Sequence, residues 1–326
     1  MIPSAWIDLA ARRLHGQVQR TPLTFDPELD LYLKWENRQV TGSFKIRGAL
    51  NKVLALEGWE QMRGLVTASA GNHGQGVALA GKLVGAPVIV FCSNHAVPAK
   101  LAAMRDLGAD VRLVQGGYEA AERAAQDFAA SHQATWVSPY NDGQVIAGQA
   151  TVGLEIIEQL AEQHPASLGA QSPGAIIVPV GGGGLIAGIG AALEQAPVRP
   201  RLVGVQSAAS PFFYELYHHG TQDGVVEQES LADGLAGAVE ASSITIPLVR
   251  RYVNEFLLVT EAQVEKAVAC AARKYGETIE GSAAVALAAV SDGVFHRPQG
   301  PVVVVISGGN IQPEVHARIC ALPHCV

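Results

Sequence analysis

Three short apolar segments of this chain each end in a glycine-rich turn. The segments, each with its turn, are 64–68 with 69–76, 175–180 with 181–184, and 302–306 with 307–310. Continuous apolar strands that alternate with helical patterns are typical of a mostly parallel sheet with helices on both faces. The carboxyl ends of such strands share one edge, where ligands bind. The sequence therefore predicts an α/β fold with a ligand site lined by these turns.

The same alternation extends along most of the chain. Further strands are predicted at 87–93, 110–114, 135–138, 201–206 and 255–260. Helices are predicted at 74–83, 118–131, 148–163, 260–275 and 282–289. Residues 164–174, with two prolines and many small residues, are predicted to join a helix to a strand rather than to separate domains.

One lysine, Lys45, lies just after a turn at the start of a predicted helix. Ser43 fits the N-cap position, so Lys45 would lie in the first helical turn. The positive end of the helix dipole favours a neutral amine there, and a Schiff-base lysine needs that state. Most lysines beside an arginine at a helix start are simply solvated charges. The interpretation of Lys45 as a Schiff-base lysine therefore depends on the glycine-rich turns found elsewhere in the chain.

Four consecutive glycines between a strand and a helix predict a phosphate site. They are Gly181, Gly182, Gly183 and Gly184, and their backbone N–H groups suit an anion. Residues 182–187 also fit a loose dinucleotide pattern, but the next strand ends at Gln206, where that pattern needs an acidic residue. The chain has no P-loop motif, which argues against a nucleoside triphosphate.

The ordered set of motifs resembles that of the fold-type II pyridoxal-phosphate enzymes, in particular the threonine/serine dehydratase and serine racemase branch. Further matching segments are 20–23, 33–37, 139–140, 145–149, 232–234 and 280–284. The resemblance covers nearly the whole chain and implies a tryptophan synthase β-like fold, with two open, twisted, mostly parallel sheets and helices on both faces. It also implies a large cofactor-binding domain (residues 1–49 and 143–326) and a small mobile domain (residues 50–142).

The resemblance implies pyridoxal 5'-phosphate as cofactor and a role for each matching residue. Lys45 would hold the cofactor and remove the substrate α proton. The other implied cofactor contacts are Phe44, Asn72 at the ring oxygen, the four glycines at the phosphate, and Ser307 at the pyridine nitrogen. The substrate carboxylate would be received by Ser69, Ala70, Gly71, Asn72 and His73. A serine does not compel protonation of the pyridine nitrogen, so the cofactor would be a weaker electron sink, which favours prompt loss of a β substituent.

The implied reaction is dehydration of a β-hydroxy amino acid, above all L-threonine or L-serine, to a 2-keto acid and ammonia. Ala70 stands where racemases usually have a serine, and alanine has no proton to donate, so racemisation is disfavoured. Other hypotheses stay open: a dehydratase for 3-hydroxyaspartate, phenylserine or a hydroxyectoine derivative, a racemase, or a catalytically silent binding protein on the same fold. Residues near Tyr140 and 234–237 are candidates for the substrate pocket.

Two further expectations concern carboxylates. Some members of the family bind a divalent cation just after the strand that follows the tetraglycine helix, but residues 206–213 contain no carboxylate, the ligand that Mg²⁺ and Ca²⁺ prefer, so no metal site is expected there. Glu280 matches a position near the cofactor, yet a glutamate at a helix start is equally ordinary. No regulatory domain is expected beyond the motif that begins at Ser307.

Charge and composition limit the classes of partner and the cellular location that can be expected for this chain. The net charge of -7, without a basic stripe, argues against nucleic acid. The four cysteines are scattered, which favours reduced thiols. No targeting signal and no run of about 18 apolar residues is present, so a cytoplasmic protein away from membranes is expected. The family resemblance implies a small-molecule amino-acid substrate and a homodimer or homotetramer.

Overall fold

The computed structural model describes residues 1–163, 173–194 and 199–322. Its strands are β1 (Leu23–Asp26), β2 (Leu31–Trp35), β3 (Leu65–Ala68), β4 (Val88–Ser93), β5 (Asp110–Val114), β6 (Thr135–Trp136), β7 (Ala175–Pro179), β8 (Arg201–Ser207), β9 (Glu255–Val259) and β10 (Val302–Ile306). Its helices are α1 (Ser4–Leu14), α2 (Lys45–Ala55), α3 (Gly58–Met62), α4 (Asn72–Val84), α5 (Pro98–Asp106), α6 (Tyr118–His132), α7 (Gly143–Gln163), α8 (Gly184–Leu193), α9 (Phe212–His218), α10 (Thr245–Tyr252), α11 (Glu261–Tyr275), α12 (Gly281–Ser291) and α13 (Pro313–Ala321). Within these ranges, short 3-10 turns lie at Glu36–Arg38 and Asp233–Leu235.

The described strands form two sheets. The larger has the order β1-β2-β10-β7-β8-β9, in which β1 and β2 are antiparallel and the other neighbours are parallel. The smaller, β5-β4-β3-β6, is parallel throughout. Every residue of β7 and β10 is buried, as expected for strands covered on both faces. The predicted fold of two mostly parallel sheets is confirmed.

Helices cover both faces of the large sheet because successive side chains of a strand point to opposite sides. Ile176 and Val178 of β7 belong to the apolar cluster under α7 and α8. Ala175 and Ile177 belong to the cluster under α11 and α12. The resulting layers bury the sheet and leave the carboxyl ends of its strands as the place where polar groups converge.

The four strands of the small sheet lie between residues 65 and 136, inside the stretch predicted as the small domain. The domain limits themselves remain a prediction. Helix α2 packs against both α4 and α7, so it joins the two sheets. Most of the predicted connection 164–174 falls outside the described residues. Among the described helices, none has the length and apolarity needed to cross a membrane.

Helix α7 begins five residues before its predicted start at residue 148. The cause is Asp142, whose carboxylate accepts hydrogen bonds from the N–H groups of Gln144 and Val145 at 2.7 and 3.0 Å. An aspartate in this position satisfies N–H groups of the first turn that have no partner within the helix. The sequence prediction began the helix too late because it did not identify this cap.

Candidate active site

The turn before Lys45 is joined to the end of β10. Ser43 pairs with Gly308 in an isolated antiparallel bridge, and the Phe44 N–H donates to the Ser307 carbonyl oxygen at 3.1 Å. This pairing brings the lysine motif and the Ser-Gly-Gly-Asn motif, more than 250 residues apart in the sequence, to one edge of the large sheet.

The predicted N-cap at Ser43 is wrong. Phe44 is the residue that precedes α2, and it has helical backbone angles and no capping side chain. Because the backbone of Ser43 pairs with Gly308, its hydroxyl does not reach the first turn; it is buried and has no hydrogen-bond partner among the described residues. The consequence predicted for Lys45 still holds, since Lys45 is the first residue of α2.

The Lys45 amine is enclosed by protein. Its Nζ donates to the Pro139 carbonyl oxygen at 3.1 Å and lies 5.2 Å from the centre of the Phe44 ring. Burial lowers the pKa of Lys45 to about 8, although the nearby charge of Glu280 acts in the opposite direction. A large fraction of this amine is therefore neutral near pH 8, unlike an exposed lysine.

The tetraglycine turn between β7 and α8 packs so closely against neighbouring residues that side chains would not fit in it. A Cβ at Gly182 would overlap the Tyr140 ring, and a Cβ at Gly183 would lie 2.7 Å from Phe213. Gly183 also has a φ of +84°, in the left-handed region that favours glycine. The first intrahelical bond of α8 runs from the Ala187 N–H to the Gly183 carbonyl, so the preceding N–H groups of the helix are free for an anion.

The second glycine-rich turn leads into α4 and joins a chain of side-chain hydrogen bonds. Asn72 donates from Nδ2 to Glu280 at 2.7 Å and accepts at Oδ1 from Asn310 at 2.7 Å. Asn310 also donates to the Thr41 carbonyl at 2.8 Å. Asn72 is thereby fixed by two of the other motifs, as the prediction of a precise hydrogen-bonding role requires. The sequence analysis had assigned no role to Asn310.

The His73 imidazole points away from this turn. It is buried, and its Nε2 lies 3.0 Å from the carbonyl oxygen of Val137, just after β6. Burial, together with the charge of Lys45, lowers the pKa of His73 to about 3, so the ring is neutral. The predicted contact between His73 and the substrate can therefore be made by its backbone N–H, which belongs to the first turn of α4, and not by its ring.

Glu280 lies beside the reactive groups. It precedes α12 without capping it, and its carboxylate is buried between Asn72 and Gly308. Burial raises the pKa of Glu280 to about 7, and the charge of Asp233 acts in the same direction. The sequence left two interpretations of Glu280 open: a polar group near the cofactor, or an ordinary glutamate at a helix start. A glutamate that interacts only with the helix dipole would stay ionised, so the raised pKa and the contacts of Glu280 favour the first interpretation.

Substitution of Glu280 by glutamine is expected to weaken the dependence of stability on pH. The folded protein holds a proton on Glu280 up to about pH 7, whereas an unfolded glutamate releases it near 4.5. Stability therefore falls as the pH rises between these values, by about 3 kcal/mol in total, and the glutamine variant lacks this contribution. Urea unfolding at about pH 4.5 and pH 8 measures it. Glu314→Gln, at an exposed helix start, is the control; parallel profiles for Glu280→Gln and the parent protein would contradict the assignment.

Two carboxylates from outside residues 206–213 lie against the segment that follows β8. Glu261 accepts from the Ser207 and Ser230 hydroxyls and from the Leu231 N–H. Glu227 accepts from the Ser210 hydroxyl at 3.0 Å. Both come from distant parts of the sequence. The absence of a divalent-cation site stays a prediction.

Comparison with known proteins agrees with this geometry. A family model described as "Pyridoxal-phosphate dependent enzyme" matches residues 14–308. The L-threonine ammonia-lyase of Thermotoga maritima is 38% identical over 325 residues, which cover 98% of this chain and 78% of that protein. The structure of threonine deaminase isoform 2 from Solanum lycopersicum has a TM-score of 0.86 and 27% identity and covers 98% of this chain and 93% of that one. The serine racemase structure from Dictyostelium discoideum has a TM-score of 0.85 and 30% identity and covers 95% and 99%.

The residues present fit pyridoxal phosphate. The tetraglycine turn leaves room only for backbone, as a phosphate cradle requires, and Lys45 supplies a partly neutral amine at the same sheet edge. The resemblance inferred from the motifs is confirmed by the family match and by the relatives. The chain belongs to the pyridoxal-phosphate-dependent enzymes, in the group that contains threonine ammonia-lyases and serine racemases.

Proposed function

We propose that this enzyme is an ammonia-lyase that dehydrates L-threonine or L-serine to a 2-keto acid and ammonia. The observation that carries the proposal is the partly buried Lys45 amine, whose pKa is lowered to about 8, at the end of a turn bonded to the end of β10. The L-threonine ammonia-lyase of Thermotoga maritima, 38% identical, supports the same substrate class.

The cofactor would be held by residues from widely separated parts of the chain. The N–H groups of Gly181, Gly182, Gly183 and Gly184 would bind the phosphate, Asn72 would hold the ring oxygen, Ser307 would hold the pyridine nitrogen, Phe44 would add a ring contact, and Lys45 would supply the amine that attaches the cofactor. When bound, pyridoxal phosphate supplies the electron sink that makes loss of the substrate α proton feasible.

The protein's own groups then bind and move protons. The turn of residues 69–73 receives the substrate carboxylate, because the N–H groups of Asn72 and His73 in the first turn of α4 have no partner within the helix and suit an anion. Lys45 Nζ, about half of which is neutral near pH 8, takes the α proton. Departure of the β-hydroxyl leaves an unsaturated amine, and its hydrolysis releases the 2-keto acid and ammonia.

Ala70 separates this proposal from racemisation. Racemisation needs a proton donor on the face opposite Lys45, and an alanine methyl group cannot donate one. The serine racemase of Dictyostelium discoideum shares the fold at 30% identity, so shape alone does not decide between the two reactions. The side chain at residue 70 favours elimination.

The proposal is tested by 2-keto acid release from a panel of substrates. The panel contains L- and D-threonine, L- and D-serine, 3-hydroxyaspartate and phenylserine, with chiral analysis of the amino acid that remains. We expect release from L-threonine or L-serine with no accumulation of the D enantiomer. Because a methyl group in an apolar pocket changes binding by only about 1–3 kcal/mol, both can turn over. Racemised substrate without 2-keto acid, or release only from the bulkier substrates, would overturn the assignment.

Capture of the cofactor by the apoprotein is expected to become faster as the pH rises through about 8. The pKa of Lys45 lies near that value, and only the neutral amine attacks a carbonyl. Absorbance of the bound cofactor, followed from about pH 6.5 to 9.5, measures the rate, with free N-acetyl-lysine as the reference for an unperturbed amine. A profile that matches N-acetyl-lysine would contradict the lowered pKa.

A homodimer or homotetramer and a cytoplasmic location belong to the same proposal. Both follow from the family resemblance. Light scattering of the purified holoenzyme gives its mass, which we expect to be two or four times the 34.1 kDa of one chain.

A further inference from the structure

The back of helix α2 carries a buried charge cluster that the proposed reaction does not use. Arg47, two residues after Lys45, has a fully buried side chain. Its Nε and Nη2 donate to the Glu36 carboxylate at 2.7 and 2.8 Å. Its Nη1 and Nη2 donate to the Glu155 carboxylate at 2.6 and 3.0 Å. Two carboxylates thus hold one guanidinium from two sides, each by a pair of hydrogen bonds from its N–H groups, and this is the geometry in which arginine binds carboxylates most specifically.

Each of these carboxylates is itself anchored. Glu36, just after β2, accepts from the Thr21 hydroxyl at 2.5 Å. Glu155, on α7, accepts from Lys34 of β2 at 2.5 Å, and the Lys34 amine also donates to the Thr21 carbonyl at 2.8 Å. The cluster therefore has two cations and two anions, so its buried charges are balanced. A balanced cluster of this kind ties α2 and the nearby β2 segment to α7, which lies more than 100 residues later in the sequence.

Close backbone contacts hold the same turn of α2. A Cβ at Gly148 of α7 would overlap the Arg47 carbonyl oxygen. A Cβ at Gly76 of α4 would lie only 3.3 Å from the Ile46 nitrogen and 3.3 Å from the Lys45 carbonyl carbon. Thus α4, α7 and the β2 segment enclose the first turn of α2, and Arg47 supplies the directional bonds among these contacts.

We propose that Arg47 is a positioning residue for Lys45, a proposal that rests on the cofactor-binding role of Lys45. A lysine side chain has many rotamers, so the place of its Nζ depends on a fixed backbone origin and on its acceptor, the Pro139 carbonyl. Arg47 fixes that origin through Glu36 and Glu155. Since a displacement of about 1 Å can cost on the order of 10²-fold in rate, a loosened turn should slow every reaction of the Lys45 amine.

The test uses Arg47→Lys, Arg47→Met and a control of lowered stability, Leu202→Ala. Leu202 is buried near the amino end of β8, at the edge of the sheet away from the site. Two quantities are measured on the apoprotein: the rate of cofactor capture and the rate of amide hydrogen exchange in residues 45–50. We expect at least tenfold slower capture and faster exchange in Arg47→Met, and an intermediate effect in Arg47→Lys, which keeps the charge but not the planar fork. Leu202→Ala should lower the melting temperature and leave both rates unchanged.

Capture and exchange at parent rates in folded Arg47→Met would overturn the inference. So would equal slowing in Leu202→Ala, because the effect would then reflect stability alone. If Arg47→Met does not fold, Arg47→Lys decides by the same criteria. Absence of capture in the parent protein is a different result: it would reject the proposed role of Lys45 itself, and this inference with it.

Discussion

Replacement of Lys45 by alanine is expected to reduce 2-keto acid release by at least about 10⁴-fold, because one side chain supplies both the cofactor attachment and the base for the α proton. The variant should keep its fold. Removal of a partly buried amine with a pKa lowered to about 8 relieves an electrostatic cost, and among the described residues the amine has one hydrogen bond, to Pro139. Initial rates with L-threonine and the far-UV circular dichroism spectrum measure the two effects.

Lys52→Ala is the matched control, since it removes a lysine from the same helix, one that pairs with Asp142 at 2.7 Å. It should lose little activity. Comparable loss in both variants would show that damage to α2, rather than the chemistry of Lys45, accounts for the result.

Gly182→Ala is expected to weaken cofactor binding about tenfold to a hundredfold. The new Cβ would overlap the Tyr140 ring, so either Tyr140 or the turn has to move. Overpacking of this kind costs about 1–3 kcal/mol, which corresponds to the stated change in affinity. Equilibrium titration of the apoprotein with pyridoxal phosphate gives the dissociation constant.

Gly58→Ala serves as the control for a glycine with open space around its Cβ position. Its affinity for pyridoxal phosphate should equal that of the parent protein. Unchanged affinity in Gly182→Ala would mean that the tetraglycine turn is not the phosphate site.

The strands at the centre of the large sheet were predictable because the pattern that marks them lies within a few consecutive residues. Residues 175–179 of the predicted strand 175–180 form β7, and the apolar segment 302–306 forms β10. Strands buried on both faces are continuous apolar runs, and the turns after them are marked by glycine. The sequence pattern therefore identified the edge of the sheet at which the site lies.

Strand β2 was missed because its sequence departs from that pattern. Lys34 is fully buried inside it, paired with Glu155, which is 121 residues away. A charged residue in a strand is read as exposed unless its partner is known, and long-range ion pairs leave no local signal. The same limit applies to Glu280, whose raised pKa depends on burial among residues from other motifs.

The site was predictable as a set of motifs but not as a set of contacts. The motifs placed Lys45 on a first helical turn, which is confirmed, through a Ser43 cap, which is wrong. The direction of the His73 ring and the Pro139 carbonyl that accepts from Lys45 depend on how the two sheets are arranged. Residue types can be read from a sequence, whereas the choice of partner for a polar group is a tertiary property.

The most direct test of the account is to find which residue binds the cofactor. The holoenzyme is reduced with borohydride, which makes the bond between cofactor and amine permanent, then digested and mapped by mass spectrometry. We predict one labelled peptide, with the label on Lys45. Label on another lysine, or none in a protein that releases 2-keto acid from L-threonine, would contradict the account.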